Sequence, residues 1–281
     1  MQTHNLRSIA YLSLFGAEPV EQIEAAAEAG LDAVGLRVVA PLGLPLAHPI
    51  AGNPSLIRRI RDATHRTGVR VFDSEVLTLT RNTDVDEFVP ALAAAAEIGS
   101  TYMQITSEDP EWLRGVDNFG KVCDEASRFG LRIALEFMRW RSVRTIEEAA
   151  NFVASANRPN GGIVLDTLHL SRSGGSPLAV AKVPREHIMY VQLCDATETM
   201  PLTDDAVIAE ARGGRLNPGE GSLWLKQLFD ILPDDIAVSI EVPGAAPLGA
   251  SVQERSHRAA KALGEWLARY RAREMDRLPP S

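Results

Sequence analysis

The chain has 281 residues, 45% hydrophobic and 23% charged, a balance ordinary for a globular protein and long enough to bury a large core without disulfide staples. Its formal net charge of -8 gives no electrostatic help with nucleic acid, whose affinity comes largely from neutralising phosphates. The start MQTHNLRS lacks the apolar segment of a signal peptide, and no run approaches the ~18 apolar residues of a membrane span. The two cysteines, Cys123 and Cys194, read as buried free thiols. A cytoplasmic protein with neither nucleic acid nor membrane as partner is the expectation.

Short apolar runs alternate with amphipathic stretches. The first run, Ile9 to Phe15, precedes a helix from about Pro19 to Ala29, closed by Gly30; proline just inside a helix and glycine just past it are the expected punctuation. Ala33 to Val38 is the second run, followed by a loop with four prolines between Pro41 and Pro54 and a helix from Ser55 to Thr67. The third run is Val69 to Leu77, with an alanine-rich helix from Val85 to Ile98. The fourth is Tyr102 to Thr106, with a helix through Val116 to Phe129. The fifth is Arg132 to Met138, and its helix, Ile146 to Ala156, follows Thr145 with Glu148 at capping-box spacing. The sixth, seventh and eighth are Gly162 to Leu165, Ile188 to Leu193 and Ile236 to Val242; a final helix runs from about Val252 to Arg271.

Eight strand–helix units in order predict parallel strands with helices outside, closed into a single (β/α)8 TIM barrel. One domain spans residues 1–281, with a frayed tail from about residue 273. The long loops after strands two and seven are candidates to carry function.

Barrel active sites form at the C-terminal ends of the strands. The fifth run ends IALEFM with Glu136, the sixth GIVLDTLHL with Asp166 and His169, the seventh YVQLCDA with Gln192 and Asp195, and the eighth VSIEVP with Glu241. Glu136, Asp166, Gln192 and Glu241 are each flanked by apolar residues. Burying an unpaired carboxylate costs several kcal/mol or forces its protonation, so four such residues on consecutive strands call for a shared counter-charge. One divalent metal ion supplies it, and three carboxylates with one amide oxygen suit manganese, magnesium or cobalt. The competing reading pairs these side chains with Arg139, Arg141 or other barrel arginines.

Glu136, Asp166-x-x-His169, a fourth ligand and Glu241, on strands five to eight, together resemble the xylose isomerase-like barrels of the sugar phosphate isomerase/epimerase group. These include tagatose and psicose 3-epimerases, inosose isomerases and dehydratases, and endonuclease IV. The resemblance implies that Glu136 and Glu241 are metal ligands that also form the catalytic proton-transfer pair, that Asp166 is a ligand, and that His169 sits on the metal or substrate side. It also implies that Arg215, in RLNPGEG, contacts substrate oxygens. Sugar epimerases of this type commonly carry histidine where this chain has Gln192. Glutamine there is similar to the bacterial 3-dehydroshikimate dehydratases.

Other residues are candidates for the pocket. Arg37 and Glu75, ending strands two and three, read either as substrate contacts or as an ion pair with each other. Arg172, Arg212 and Arg215 lie in loops six and seven, where an anionic substrate would use one or two of them. His48, Trp112 and Trp140 are candidates for the rim. SRSGGSP lacks the lysine of a phosphate loop, and PGEGS reads as a tight turn capping the next helix.

Such a metal is a Lewis acid that eases removal of a proton beside a carbonyl. Epimerisation, isomerisation and dehydration share the resulting enolate or enediolate. The expected activity is a metal-dependent isomerase or epimerase on a small keto-sugar or cyclic polyol. A lyase of the 3-dehydroshikimate or inosose dehydratase kind, or one eliminating on a 3-keto glycoside, is the alternative; a metal- or sugar-binding barrel without turnover is the third. An endonuclease-type site needs several histidines, and the chain has six in all. Self-association into a homo-oligomer stays open.

Overall fold

A computed structural model describes residues 5–40 and 45–275; the start of the proline-rich loop, residues 41–44, and the tail beyond Met275 lie outside the described residues. Eight strands, β1 (Arg7–Ile9), β2 (Ala33–Arg37), β3 (Arg70–Leu79), β4 (Tyr102–Ser107), β5 (Arg132–Leu135), β6 (Gly161–Asp166), β7 (Ile188–Leu193) and β8 (Val238–Ile240), form a closed barrel in sequence order. Every pairing is parallel, and β1 against β8 closes the ring with Ser8 opposite Ser239.

The helices are α1 (Pro19–Glu28), α2 (Pro54–Thr67), α3 (Val89–Glu97), α4 (Trp112–Ser127), α5 (Ile146–Ala156), α6 (Thr167–Arg172), α7 (Pro177–Val180), α8 (Asp204–Gly213), α9 (Leu225–Phe229) and α10 (Val252–Met275). Among the described residues no helix is long and apolar enough to cross a membrane. Capping explains several boundaries. Asn53 caps α2 and Gly68 ends it with φ of 77°, a conformation that costs glycine nothing. The capping box before α5 is half formed: Thr145 accepts from the Glu148 N–H, whereas the Glu148 carboxylate accepts from Arg144.

Strand alternation sorts the core into two bodies. Ile133, Leu135, Ile163, Leu165, Val191, Leu193, Val238 and Ile240 face the helices within the large apolar cluster. Phe72, Tyr102, Ala134, Val164, Met189 and Tyr190 form a separate cluster that plugs the barrel. The same alternation sends Glu136, Asp166, Gln192 and Glu241 inward above that plug.

Three runs are shorter as strands than their apolar length predicts. The first is a strand over Arg7–Ile9 alone, and Tyr11–Leu14 forms a 3-10 turn. Ser13 explains this: its hydroxyl donates to Ile240 O at 3.1 Å and accepts from Val242 N at 2.9 Å, drawing the chain across the mouth of β8. The fifth and eighth runs stop at Leu135 and Ile240, so Glu136 and Glu241 sit one residue past their strands.

Candidate metal centre

The registers place the strand-end polar groups side by side. Asp166 lies opposite Gln192 in the β6–β7 ladder, and Arg37 opposite Glu75 between β2 and β3, where Glu75, expected to end its strand, stands four residues before the end of β3. Glu136, Asp166, His169, Gln192 and Glu241 are all buried. Glu136, Asp166 and His169 each offer a ligand atom within 4.8 Å of the others'. Gln192 Nε2 is 3.5 Å from Glu241 Oε1, and Gln192 Oε1 is buried without a hydrogen-bond partner. An orphaned buried acceptor beside three carboxylates is the donor set a divalent cation takes.

Asp166 has two further tasks. One oxygen caps α6 by accepting from His169 N at 2.9 Å, which fixes the turn that brings His169 over the pocket. The other meets Arg215 Nη1 at 2.6 Å, and Arg215 Nη2 reaches Glu241 at 2.9 Å. Arg215 is itself buried, its Nε donating to Ala211 O. The counter-charge among the described residues is thus Arg215, while Arg139 pairs with Asp204 and Arg141 with Glu108.

The electrostatics follow from burial. Burial, then the charges of Asp166 and Glu75, push the Glu136 carboxyl well above its ordinary value. Burial likewise raises Glu241 against the opposing pull of Arg215. For Asp166 burial opposes ionisation, but Arg215 and His169 together hold the carboxyl down at about 2. Burial, aided by Arg215 and Arg141, brings His169 to about 4, so its ring is neutral near pH 7. Its Nε2 lies 3.5 Å from Glu136 Oε1, and Trp140 packs edge-on against it at 5.2 Å.

A cavity of about 570 Å³ opens above this floor, in the range of small-ligand sites. Glu136, His169, Arg215 and Glu241 line it, with Arg37 and Glu75. Those two form an ion pair with each other, with Arg37 4.4 Å over the Tyr11 ring. Trp140 lines the cavity; His48 and Trp112 do not, and Trp112 packs on Phe152. Arg172 is a correction to the substrate-binding expectation. It is buried outside the lining, its Nε and Nη2 forked onto Glu210 at 2.7 and 2.6 Å with Nη2 also on Thr197 O, so its donors are spent inside the protein. PGEGS forms a turn that Asp195 gathers through Gly219 N and Leu223 N, but α9 begins without a side-chain cap. Cys123 and Cys194 are free and buried, burial pushing both thiols up to about 12.

Sequence reasoning missed the layer beneath. Asp73 is fully buried and accepts from Gln104 Nε2 at 2.9 Å; the same nitrogen lies 2.8 Å from Tyr190 Oη. Gly35 makes room, since a Cβ there would stand 2.9 Å from the Asp73 carboxylate. Burial, then Glu75, raises Asp73 from 3.8 to about 8. The folded protein therefore holds a proton that the unfolded chain releases, and stability falls as pH climbs from 3.8 towards 8. Asp73→Asn, which cannot ionise, should flatten that slope by on the order of a few kcal/mol. Melting curves at pH 5 and pH 8 check this, and parallel slopes for the two proteins would contradict it.

The apolar loop Val242–Ala250, VPGAAPLGA after β8, also lines the cavity and had no polar signal to mark it. Gly244, at φ of 84°, lets it lie against loop seven, where a Cβ would fall 2.0 Å from Gly213 O.

Known proteins resemble this chain throughout. A 3-dehydroshikimate dehydratase of Pseudomonas aeruginosa is 32% identical over 238 residues, 78% of this chain and 34% of the relative. This chain therefore spans about a third of the length of that dehydratase. An inosose isomerase of Bacillus licheniformis is 28% identical over 60% of each chain. Among solved structures, the IolI protein with a bound zinc atom superposes with a TM-score of 0.79 at 20% identity, covering 94% of this chain and 98% of its own, a likeness of fold. The family described as xylose isomerase-like TIM barrel matches residues 23–270. With the closed eight-stranded barrel, that match shows that the chain belongs to the xylose isomerase-like TIM barrel family.

Proposed function

We propose that the protein is a divalent-metal-dependent lyase that removes water from a small, hydroxylated cyclic ketone. The observation that carries the metal dependence is the gathering of ligand atoms from Glu136, Asp166 and His169 within 4.8 Å of one another, with Gln192 Oε1 buried and without a partner; the choice of elimination rests on the dehydratase match. Glu136, Asp166, Gln192 and Glu241 would hold the ion, and the hard oxygen set favours manganese, magnesium or cobalt. The zinc in the IolI structure makes zinc a fourth candidate. When bound, the ion supplies Lewis acidity that stabilises negative charge on a carbonyl oxygen.

The side chains do the rest. Glu136 takes the proton from the carbon beside the carbonyl, from its place in the cavity lining next to His169. Neutral His169, 3.5 Å from Glu136, holds the departing hydroxyl by hydrogen bonding. Glu136 then passes its proton to that hydroxyl. A C–H and a C–O bond break, a C=C bond forms and one water leaves. Elimination is favoured by the dehydratase match over 78% of the chain and by glutamine at position 192.

The second reading is an isomerase or epimerase acting on a keto-sugar or cyclic polyol. It is supported by the inosose isomerase match and by Glu241, a second carboxylate in the lining that could return the proton. Incubating metal-loaded protein with hydroxylated cyclic ketones and keto-sugars in deuterated water separates the two. Elimination gives products lighter by one water with new near-ultraviolet absorbance. Interconverted substrates carrying deuterium, with no loss of water, would overturn the lyase reading in favour of the isomerase.

A further inference from the structure

Strands β3 and β4 are in register at Ser74 with Met103 and again at Leu77 with Ile105. Between those pairs Glu75 and Val76 stand against Gln104 alone, a two-against-one bulge that is uncommon between parallel strands. Bulges re-aim side chains beside functional sites, and all three residues of this one line the cavity. In the closed ring, β3 and β4 stand across the barrel from β7 and β8.

The polar atoms of the bulge are only partly used. Gln104 is buried, and its Nε2 donates to Asp73 Oδ2 at 2.9 Å and to Tyr190 Oη at 2.8 Å. Those two bonds use both amide hydrogens and fix the amide. They leave Oε1, which makes no hydrogen bond among the described residues, as the polar atom for the cavity. Glu75 and Arg37 form their ion pair through Oε2 and Nη2, so Glu75 Oε1 and Arg37 Nε are buried without partners. Leaving such groups unmatched is costly. A simple ion cannot match them: an anion would suit Arg37 and repel Glu75, and a cation would do the reverse. A hydroxyl both donates and accepts, so it suits the pair.

We propose that this bulge is a diol-recognition edge, in which Gln104 Oε1 accepts from one hydroxyl of the substrate ring while the Arg37–Glu75 pair takes the neighbouring one. This rests on the reading of the cavity as the site of a hydroxylated cyclic ketone. It narrows that class to rings carrying two adjacent hydroxyls besides any that is eliminated. Asp73 and Tyr190 are positioning residues, which keep the amide oxygen turned to the cavity.

Trp140 lines the cavity, so its fluorescence in stopped flow reads binding before turnover. The metal-supplemented full chain is titrated with an inosose and with its monodeoxy analogues. Two analogues, lacking adjacent hydroxyls, should each bind roughly tenfold or more weakly than the parent ketone, the range for a lost hydrogen bond that strands a buried partner. In Gln104→Met one of those losses should fall within about twofold while the other persists; in Glu75→Gln the other should shrink instead. Asp73, raised to about 8, is uncharged near neutral pH, so methionine beside it leaves no buried ion unpaired. Metal affinity should be unchanged in both variants, since neither residue belongs to the ligand set. An inosose that does not bind, a series in which no adjacent pair of hydroxyls matters, or equal losses in the parent protein and Gln104→Met would each overturn the diol edge. Should Gln104→Met not fold, the analogue series on the parent protein and on Glu75→Gln decides alone. Failure of the reaction reading looks different: the ketone binds with both hydroxyl losses intact, yet is neither dehydrated nor interconverted.

Discussion

Replacing Arg215 with methionine is expected to cost the metal-free protein about 3–5 kcal/mol at neutral pH, the range for removing one partner of a buried ion pair. Methionine keeps the apolar reach of the side chain but leaves Asp166 and Glu241 without the guanidinium that bridges them at 2.6 and 2.9 Å. Glu136, already disfavoured as an anion, stands in the same space. The sign with pH is fixed by Asp166, held at about 2 in the folded state against an ordinary 3.8. Its contribution is present above 3.8 and is lost as pH falls towards 2. The penalty in Arg215→Met should therefore shrink in acid, where the carboxyls protonate. Manganese should raise the melting temperature of the variant more than that of the parent, because the cation meets no competing guanidinium. Saturation at a hundred times the dissociation constant contributes about 2.7 kcal/mol in the simple linkage case. Equal metal-induced shifts in both proteins would show that Arg215 and the metal do not share the site.

Glu136→Gln is expected to lower turnover by roughly 10²–10⁴-fold, the usual contribution of a positioned acid–base group. The amide keeps an oxygen that can ligate, so metal affinity should fall far less than rate. Titrating metal while following turnover separates the two effects. A rate that stays low at saturation marks Glu136 as the base; full recovery would make it a ligand alone.

Much of this site is legible in the sequence because barrel chemistry concentrates at strand ends, where a carboxylate after an apolar run stands out. Glu136, Asp166, Gln192 and Glu241 carry that signal, and the i, i+3 step from Asp166 to His169 is a local turn that Asp166 itself caps. Arg215 was visible as a candidate but not its partners: it meets Asp166 across 49 residues of chain, and no periodicity encodes that. Arg172 failed for the same reason in reverse, since its partner Glu210 lies 38 residues on and turns it away from the cavity. Asp73 was hidden because it sits inside VFDSEVL, where alternation marks it only as an inward position. The YLSLF run was misread as strand because apolar content does not distinguish a strand from a buried 3-10 turn. Ser13, which decides the matter, acts through β8 at the far end of the sequence.

The central claim is a single divalent ion held by Glu136, Asp166, Gln192 and Glu241, and anomalous diffraction from crystals grown with excess manganese tests it most directly. One manganese peak in contact with oxygens of all four side chains, with Gln192 Oε1 turned onto it and Arg215 withdrawn from Asp166, is the predicted result. No manganese at the barrel mouth, with Arg215 still bridging Asp166 and Glu241 at full metal concentration, would contradict it.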